Sequence, residues 1–305
     1  MAEPLVSVVV GVFNKERYVG ECLRSVLAQT YSHFELIVVD DASTDQSVAV
    51  VRQLADPRIR LVVRSENSRL PAIPRNQGIQ MATGAYLAFL DADDLWLPDK
   101  LAMQMAYLKT HPEFPLVHAA CMVMDGEGRS LHLRHAGCLP PAGDCLMPLL
   151  EHCWISISTV MATKALVDRV GLFDEDPALR AREDYDWLRR AASVAPFGVL
   201  EDCLAKYRVA DASISHGTGN WRAAPRDFLS HRDALRHGAR WGGRISPGRL
   251  AEIAFGAAEE NAYHWRARNE FGRAAWFAWQ MLRLAPFRAG GWRQLLAAGL
   301  RRGHE

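Results

Sequence analysis

The first 110 positions alternate between short unbroken apolar runs and longer stretches where apolar residues recur every three or four positions. Residues 5–13 (LVSVVVGVF) are Val-rich and apolar on both faces, the pattern of a strand inside a parallel sheet. Over residues 14–30, Val19, Cys22, Leu23, Val26 and Leu27 recur at helical spacing, which predicts a helix capped by Asn14. Residues 34–39 form a second buried run that ends in Asp40 and Asp41. In STDQ, Ser43 and Gln46 read as a capping box that opens a helix to about residue 55. A strand over 60–63, a helix over 72–82 and a strand over 86–90 complete a β-α-β-α-β-α-β order. Such alternation predicts an α/β fold, a mostly parallel central sheet with helices on both faces.

Chemistry enters where the last of these strands stops. The apolar run Tyr86, Leu87, Ala88, Phe89 and Leu90 follows Gly84 and ends abruptly at Asp91, Asp93 and Asp94, in AYLAFLDADDLWLPDK. Ligands of open α/β sheets bind just beyond the carboxyl ends of strands. Asp91 and Asp93 are two apart, so an extended backbone points both side chains the same way. Converging carboxylates repel. A hard divalent cation, Mg²⁺ or Mn²⁺, removes the repulsion and keeps coordination positions for a diphosphate. Acidic residues also serve as turn residues and caps, and Asp94 or Asp99 would suit the helix that Pro98 helps start. The second acidic pair, Asp40 and Asp41, after another strand favours the functional reading.

Further along, the pattern predicts a helix over 98–109, a strand over 114–124, a hairpin-like turn at Asp125-Gly126 and Glu127-Gly128, and irregular chain over 129–153. A strand-like stretch over 156–162, a helix over 164–170 ended by Gly171, a helix over 182–194 opening on Glu183 and Asp184, and a strand within 197–209 follow. From residue 222 onward there are 15 Arg, no Lys and seven Asp plus Glu, and six of the nine tryptophans lie from residue 221 onward. Helices are expected at 246–268, 271–284 and 291–302. The last sets Trp292, Leu295, Leu296 and Leu300 against Arg293, Arg301 and Arg302. It would either lie on an anionic membrane surface or pack as a helical cap, and packing is the preferred reading.

Length and composition bound these readings. At 305 residues the chain holds one large domain, residues 1–218, with halves at about 1–110 and 111–218, plus a helical segment over 219–305. A net charge of +1 does not suit a nucleic-acid partner. No apolar run reaches transmembrane length, the N-terminus lacks the basic start of a signal peptide, and the six cysteines form no Cys-x-x-Cys pair. A reduced cytoplasmic setting without zinc is the simplest expectation. There is no G-x-G-x-x-G and no G-x-x-x-x-G-K-[ST], so a metal would have to carry the diphosphate.

The segments VSVVVGVFN, SVLAQTYSHFELIVVDDASTD, RNQGIQMATGAYLAFLDADD and LPDK resemble glycosyltransferase family 2. The resemblance covers residues 5–110 strongly and 155–215 more loosely. It implies a GT-A fold and an inverting, metal-dependent transfer from a nucleotide-sugar, with UDP-sugars the default and GDP or dTDP sugars open. It implies that Phe13 stacks on the base, Asp41 hydrogen-bonds it, Asp40 is structural and Arg75 lines the donor site. Asp93 would be the direct metal ligand, Asp91 would lie nearer the ribose or metal waters, and Asp94 would share either role. Asp184 matches the catalytic base, with Glu183 as its rival, and residues 154–159 would lie near the acceptor. The acceptor would be a lipid-linked glycan, a polysaccharide end or a protein.

Two departures matter. The family commonly has Pro-Thr-Tyr-Asn where this chain has Gly11, Val12, Phe13 and Asn14, which costs polar base contacts but not stacking. A Gln-x-x-Arg-Trp motif, similar to that of processive synthases, is missing, which favours addition of single sugars. Rival readings are a sugar-nucleotide-binding scaffold without turnover and a nucleotidyltransferase. The second would need a basic glycine-rich loop that is missing here. His118 reads as a satisfied core residue, His111 as a helix end, and His216 as a lesser candidate metal contact. Asp174 and Asp176 read as turn residues.

Overall fold

The structure, a computed structural model, describes residues 3–134, 139–151, 155–209, 245–267 and 271–284. Strands β1 (Val6–Val12), β2 (Phe34–Asp40), β3 (Ile59–Val63) and β4 (Tyr86–Asp91) stand in the order β3-β2-β1-β4, all parallel. Helices α1 (Val19–Leu27), α2 (Ser47–Gln53) and α3 (Ala72–Met81) connect them. Both faces of β1 are covered. Val6, Val8, Val10 and Val12 join a cluster with Val19, Leu23 and Val26 of α1. Val9 points the other way, toward Gly78 of α3, where an added methyl would lie 2.4 Å from Val9 Cγ1. That closeness requires glycine and explains why the run is apolar at every position but one.

Beyond β4 come β5 (Leu95–Trp96), α4 (Lys100–Thr110), β6 (Leu116–Met124), β7 (Ser130–Arg134), α5 (Leu146–Glu151), β8 (Met161–Thr163), α6 (Lys164–Val170), α7 (Glu183–Val194) and β9 (Phe197–Arg208). The sheet continues β4-β8-β6-β9-β5, with β7 beside β6. Here β8, β7 and β5 pair antiparallel, whereas β6 and β9 are parallel. Two compact units divide the chain, Met1–Gly217 and Thr218–Glu305. In the second, α8 (Pro247–Ala267) and α9 (Phe271–Leu284) pack through Ala254, Phe255, Ala258, Ala262, Phe277 and Met281. The helix expected at 291–302 lies outside the described residues.

Several local expectations change. Asn14 does not cap α1: it takes a left-handed conformation (φ 50°), and its side-chain oxygen accepts from Thr44 N at 2.8 Å. Tyr18 occupies the cap position. Ser43 does not open α2; its hydroxyl accepts from Asn14 N instead, and α2 starts at Ser47. The two loops thus cap each other, a long-range exchange that no local spacing shows. Residues 156–162 are not one strand, because a 3-10 turn at Ile157–Thr159 precedes β8. Trp96 Nε1 and Gln104 Nε2 donate to the carbonyls of Ser158 and Thr159, both at 2.7 Å, so these groups need no strand partner. Gly171 ends α6 with φ 82°, as expected of a terminator.

Candidate active site

Parallel strands that start level also end level. In register Gly11 faces Asp91 and Val12 faces Asp40, so the acidic ends of β2 and β4 and the end of β1 come together. A cleft opens there. It is lined by Gly11, Val12, Phe13, Lys15, Asp41, Arg75, Asp91, Asp93, Glu183, Asp184 and Arg208, among others. All belong to the first unit. Of Phe13, Asp41, Arg75, Asp91, Asp93, Asp94 and Asp184, only Asp94 is not among the residues lining it.

The reason lies in the turn. β4 ends at Asp91, and the chain folds back at once, Asp94 N donating to Asp91 O at 3.0 Å. The extended alternation that would aim the carboxylates together is lost, and each meets its own partner. Asp91 Oδ1 accepts from Arg75 at 2.9 Å, and Asp93 Oδ2 accepts from Lys15 Nζ at 2.5 Å. Asp94 is 1% exposed; its carboxylate accepts from Ser158 Oγ at 2.6 Å and Arg208 N at 2.9 Å. Asp94 is therefore a structural carboxylate of the turn, and the metal role expected for it does not fit its orientation. Burial, with Asp93 and Asp91 adding repulsion, pushes its carboxyl well above the usual range. Asp91 is also raised, by desolvation first; Arg75 opposes this, and Asp93 and Asp184 add to it.

The repulsion bears on the expected cation. Asp91, Asp93, Glu183 and Asp184 line the cleft, and Arg75 and Lys15 are the cations paired with this group. The donors of this acidic group are hard oxygens, which fits Mg²⁺ or Mn²⁺, while Arg69, Arg134, Arg180, Arg182 and Arg208 also line the cleft and make its lining basic overall. Among the described residues no three His, Cys, Asp or Glu side chains gather closely enough to cage a metal. A cation held by Asp93 and Asp91 would therefore draw its remaining ligands from water and from donor phosphates. His216 lies outside the described residues.

Opposite the acidic turn, α7 begins. Arg75 is buried and bridges the two sides, reaching Asp91 with one guanidinium nitrogen and Glu183 Oε1 with another at 3.0 Å. Burial opposes its charge, but Asp91, Glu183 and Asp184 overcome this and hold it more firmly protonated than usual. Glu183 is 3% exposed and committed to Arg75. Asp184, the next residue, is half-buried and open to the cleft. Adjacent positions of a helix point about 100° apart, which is how one carboxylate becomes a brace and its neighbour faces the site.

At the other end, Asp41 accepts from Asn67 Nδ2 at 3.0 Å and Ser68 Oγ at 2.7 Å and pairs with Arg64 at 2.8 Å. Besides facing the cleft, it organises the loop that carries Arg69. Asp40 is buried and accepts from Ser43 N at 2.9 Å. Phe13 is 41% exposed at the rim, an unencumbered face for a flat ring. Four non-glycine residues with left-handed backbone, Asn14, Ala42, Arg69 and Ala181, sit in the loops around this cleft or beside residues that line it. Such strain gathers where surrounding structure over-determines a loop. Ile155, Ser156 and Ile157 also line the cleft, whereas Trp154 is outside the described residues.

With this geometry in hand, relatives become informative. The family model described as Glycosyl transferase family 2 matches residues 7–137. A protein of Bacillus subtilis (strain 168) named as a teichuronic acid biosynthesis glycosyltransferase, TuaG, is 32% identical over 238 residues, covering 77% of this chain and 90% of that protein. The chain belongs to glycosyltransferase family 2. It spans 33% of the length of some Rickettsia relatives that it matches at 31–32% identity. Among solved structures, S. aureus TarS 1–349 in complex with UDP-GlcNAc superposes with TM-score 0.69 at 19% identity, covering 98% of this chain and 92% of that one. A Pyrobaculum calidifontis mannosyltransferase in complex with GDP-Man and Mn²⁺ superposes with TM-score 0.55 at 21% identity, covering 99% and 87%. At these identities the likeness establishes the fold, which is that of the GT-A-like neighbours.

Some members of the site escape pattern reading. Lys15, Ser158 and Arg208 look unremarkable in the chain. Arg208 ends β9 and donates to Asp93 O at 2.8 Å and to Glu21 at 2.8 Å, so it clamps the acidic turn from a strand 115 positions away. Only the strand order brings it there. His118 is a core residue as expected but is not satisfied, since both ring nitrogens lack a partner among the described residues. Asp174 accepts from Asp176 N at 3.0 Å, a turn contact as read.

Proposed function

We propose that this family 2 glycosyltransferase is an inverting, divalent-cation-dependent, non-processive enzyme that moves one sugar from a nucleotide-sugar, a UDP-sugar by preference, to a hydroxyl of a glycan or lipid-linked acceptor in polysaccharide biosynthesis. The observation that carries this reading is that Asp184 and the turn carboxylates Asp91 and Asp93 line one cleft, braced by Arg75 between them. In this reading Phe13 stacks on the base, Asp41 accepts from it, and Arg75 sets the spacing between donor and acceptor sides. Asp93 and Asp91 would hold the cation, which as a Lewis acid would offset charge on the departing diphosphate.

Asp184 acts as general base. It accepts the acceptor hydroxyl's proton as the oxygen attacks the anomeric carbon from the face opposite the leaving nucleoside diphosphate, through an oxocarbenium-like transition state. Glu183 is the poorer base because its carboxylate already carries Arg75. The reduced cytoplasmic setting stays with the proposal. Among the described residues, no helix is long and apolar enough to cross a membrane.

Calorimetric titration of UDP, GDP and dTDP with Mn²⁺, then with EDTA, tests the donor half. Binding of one nucleotide that disappears with EDTA is expected, and no binding of any nucleotide would favour the non-catalytic scaffold. Asp184→Asn tests the acceptor half. Nucleotide affinity should be unchanged while transfer falls by about 10³-fold, as for loss of a general base. Near-normal transfer would return the role to Glu183.

A further inference from the structure

Lys15 stands apart from Arg75 and Arg208, the two other cations that hold the acidic turn. Its main chain is pinned at the start of α1. The Lys15 N–H donates to Ser47 Oγ at 2.8 Å, and its carbonyl accepts from Tyr18 N at 2.9 Å and Val19 N at 2.8 Å. The side chain is not pinned in the same way. It reaches across the cleft to one oxygen, Asp93 Oδ2, at 2.5 Å, with side-chain exposures of 23% for Lys15 and 16% for Asp93. Arg75 holds two carboxylates at once, and Arg208 is committed to Glu21 and to main-chain oxygens. Lys15 has a single ion pair on a flexible stem, made to the carboxylate that best fits the cation.

Resting on the reading above, we propose that Lys15 is a donor-binding residue that shares Asp93 with the divalent cation. It neutralises Asp93 in the donor-free protein, and it turns to the donor's phosphates when a cation is bound at that carboxylate. The physical reason is charge. An ammonium and a divalent cation on one carboxylate repel each other, so the two compete for Asp93. An ammonium is a compact point charge on four rotatable bonds, suited to exchanging one anion for another. A nucleoside diphosphate supplies that second anion within the same cleft. Divalent cation alone should then bind weakly, and cation with nucleotide should bind as a pair.

Removing the ammonium should move the two affinities in opposite directions, which a merely structural lysine would not do. The test uses the full chain, Lys15→Met and Lys15→Arg, with matched melting curves. Free Mn²⁺ is read by its paramagnetic resonance signal without nucleotide, and UDP is titrated calorimetrically at saturating Mn²⁺. For Lys15→Met, Mn²⁺ alone should bind about tenfold tighter and UDP about tenfold weaker, with Lys15→Arg close to the parent; each tenfold change corresponds to about 1.4 kcal/mol. Either affinity unchanged, or both weakened together with a lower melting temperature, overturns the proposal. If the parent protein binds no UDP with Mn²⁺, the functional reading falls first. If it binds and Lys15→Met changes nothing, only the role of Lys15 falls.

Discussion

Two neighbouring carboxylates at the start of α7 have different fates, and single substitutions should separate them. Glu183 is buried against Arg75, so Glu183→Ala should leave Arg75 half-paired and cost about 2–3 kcal/mol in urea unfolding. Asp184→Asn should change stability by no more than about 0.5 kcal/mol, because the amide keeps an oxygen that can accept from Tyr185 N as Asp184 Oδ1 does at 2.8 Å. His118 gives a second contrast. Burial lowers its pKa to about 3, and its ring nitrogens have no partner. The unfolded chain takes up that proton near pH 6.5 and the folded chain only near 3, so stability is lost as pH falls through this window. His118→Leu should remove that loss and raise stability by about 1 kcal/mol at neutral pH, read from denaturation midpoints between pH 7 and 4. His118 showed in the sequence as a core residue, but its missing partners did not, because they depend on what β8 and β9 place around β6.

At the scale of elements, the β1–β4 layer and α3 depend on close approach. Gly78→Ala would set a methyl 2.4 Å from Val9 Cγ1, and the expected loss is about 1–3 kcal/mol without loss of helix by circular dichroism. At the foot of the same strands, Glu35 accepts from Ser7 Oγ, Thr83 N and Thr83 Oγ1, each at 2.7 Å, and pairs with Arg60. Desolvation would raise its carboxyl, but these hydrogen bonds win and lower it to about 2. Its contribution is therefore complete above the ordinary carboxylate range, near pH 4.3, and is lost as pH falls toward 2. Glu35→Gln should flatten the acid limb of stability in that window by about 1 kcal/mol, once screening at a partly exposed site is allowed for. The strands and helices involved were legible as periods of two and 3.6. Their caps were not, because Ser43 serves Asn14 N across 29 positions and Asn14 serves Thr44 N across 30, rather than their own helices.

For the whole molecule, the cleft belongs to the unit Met1–Gly217, and ligand linkage should show it. UDP with Mn²⁺ at about 100 times its dissociation constant should stabilise the folded state by about 2.7 kcal/mol, and EDTA should abolish the shift in a thermal scan. The order of strands and helices in the first half, the fold class and the level of the acidic ends were determined by the sequence alone. Apolar runs of strand length between helical repeats admit few other arrangements, and parallel strands deliver their C-termini to one edge. The fate of each acidic group was decided only by tertiary structure. The tight turn after Asp91 sends three carboxylates to three partners, and those partners, Arg75, Lys15 and Ser158 with Arg208, come from α3, the loop before α1, the 3-10 turn and the last strand. Charge and hydrogen bonding act through space, so contacts between residues up to 187 positions apart become readable only once the sheet has set which ends meet.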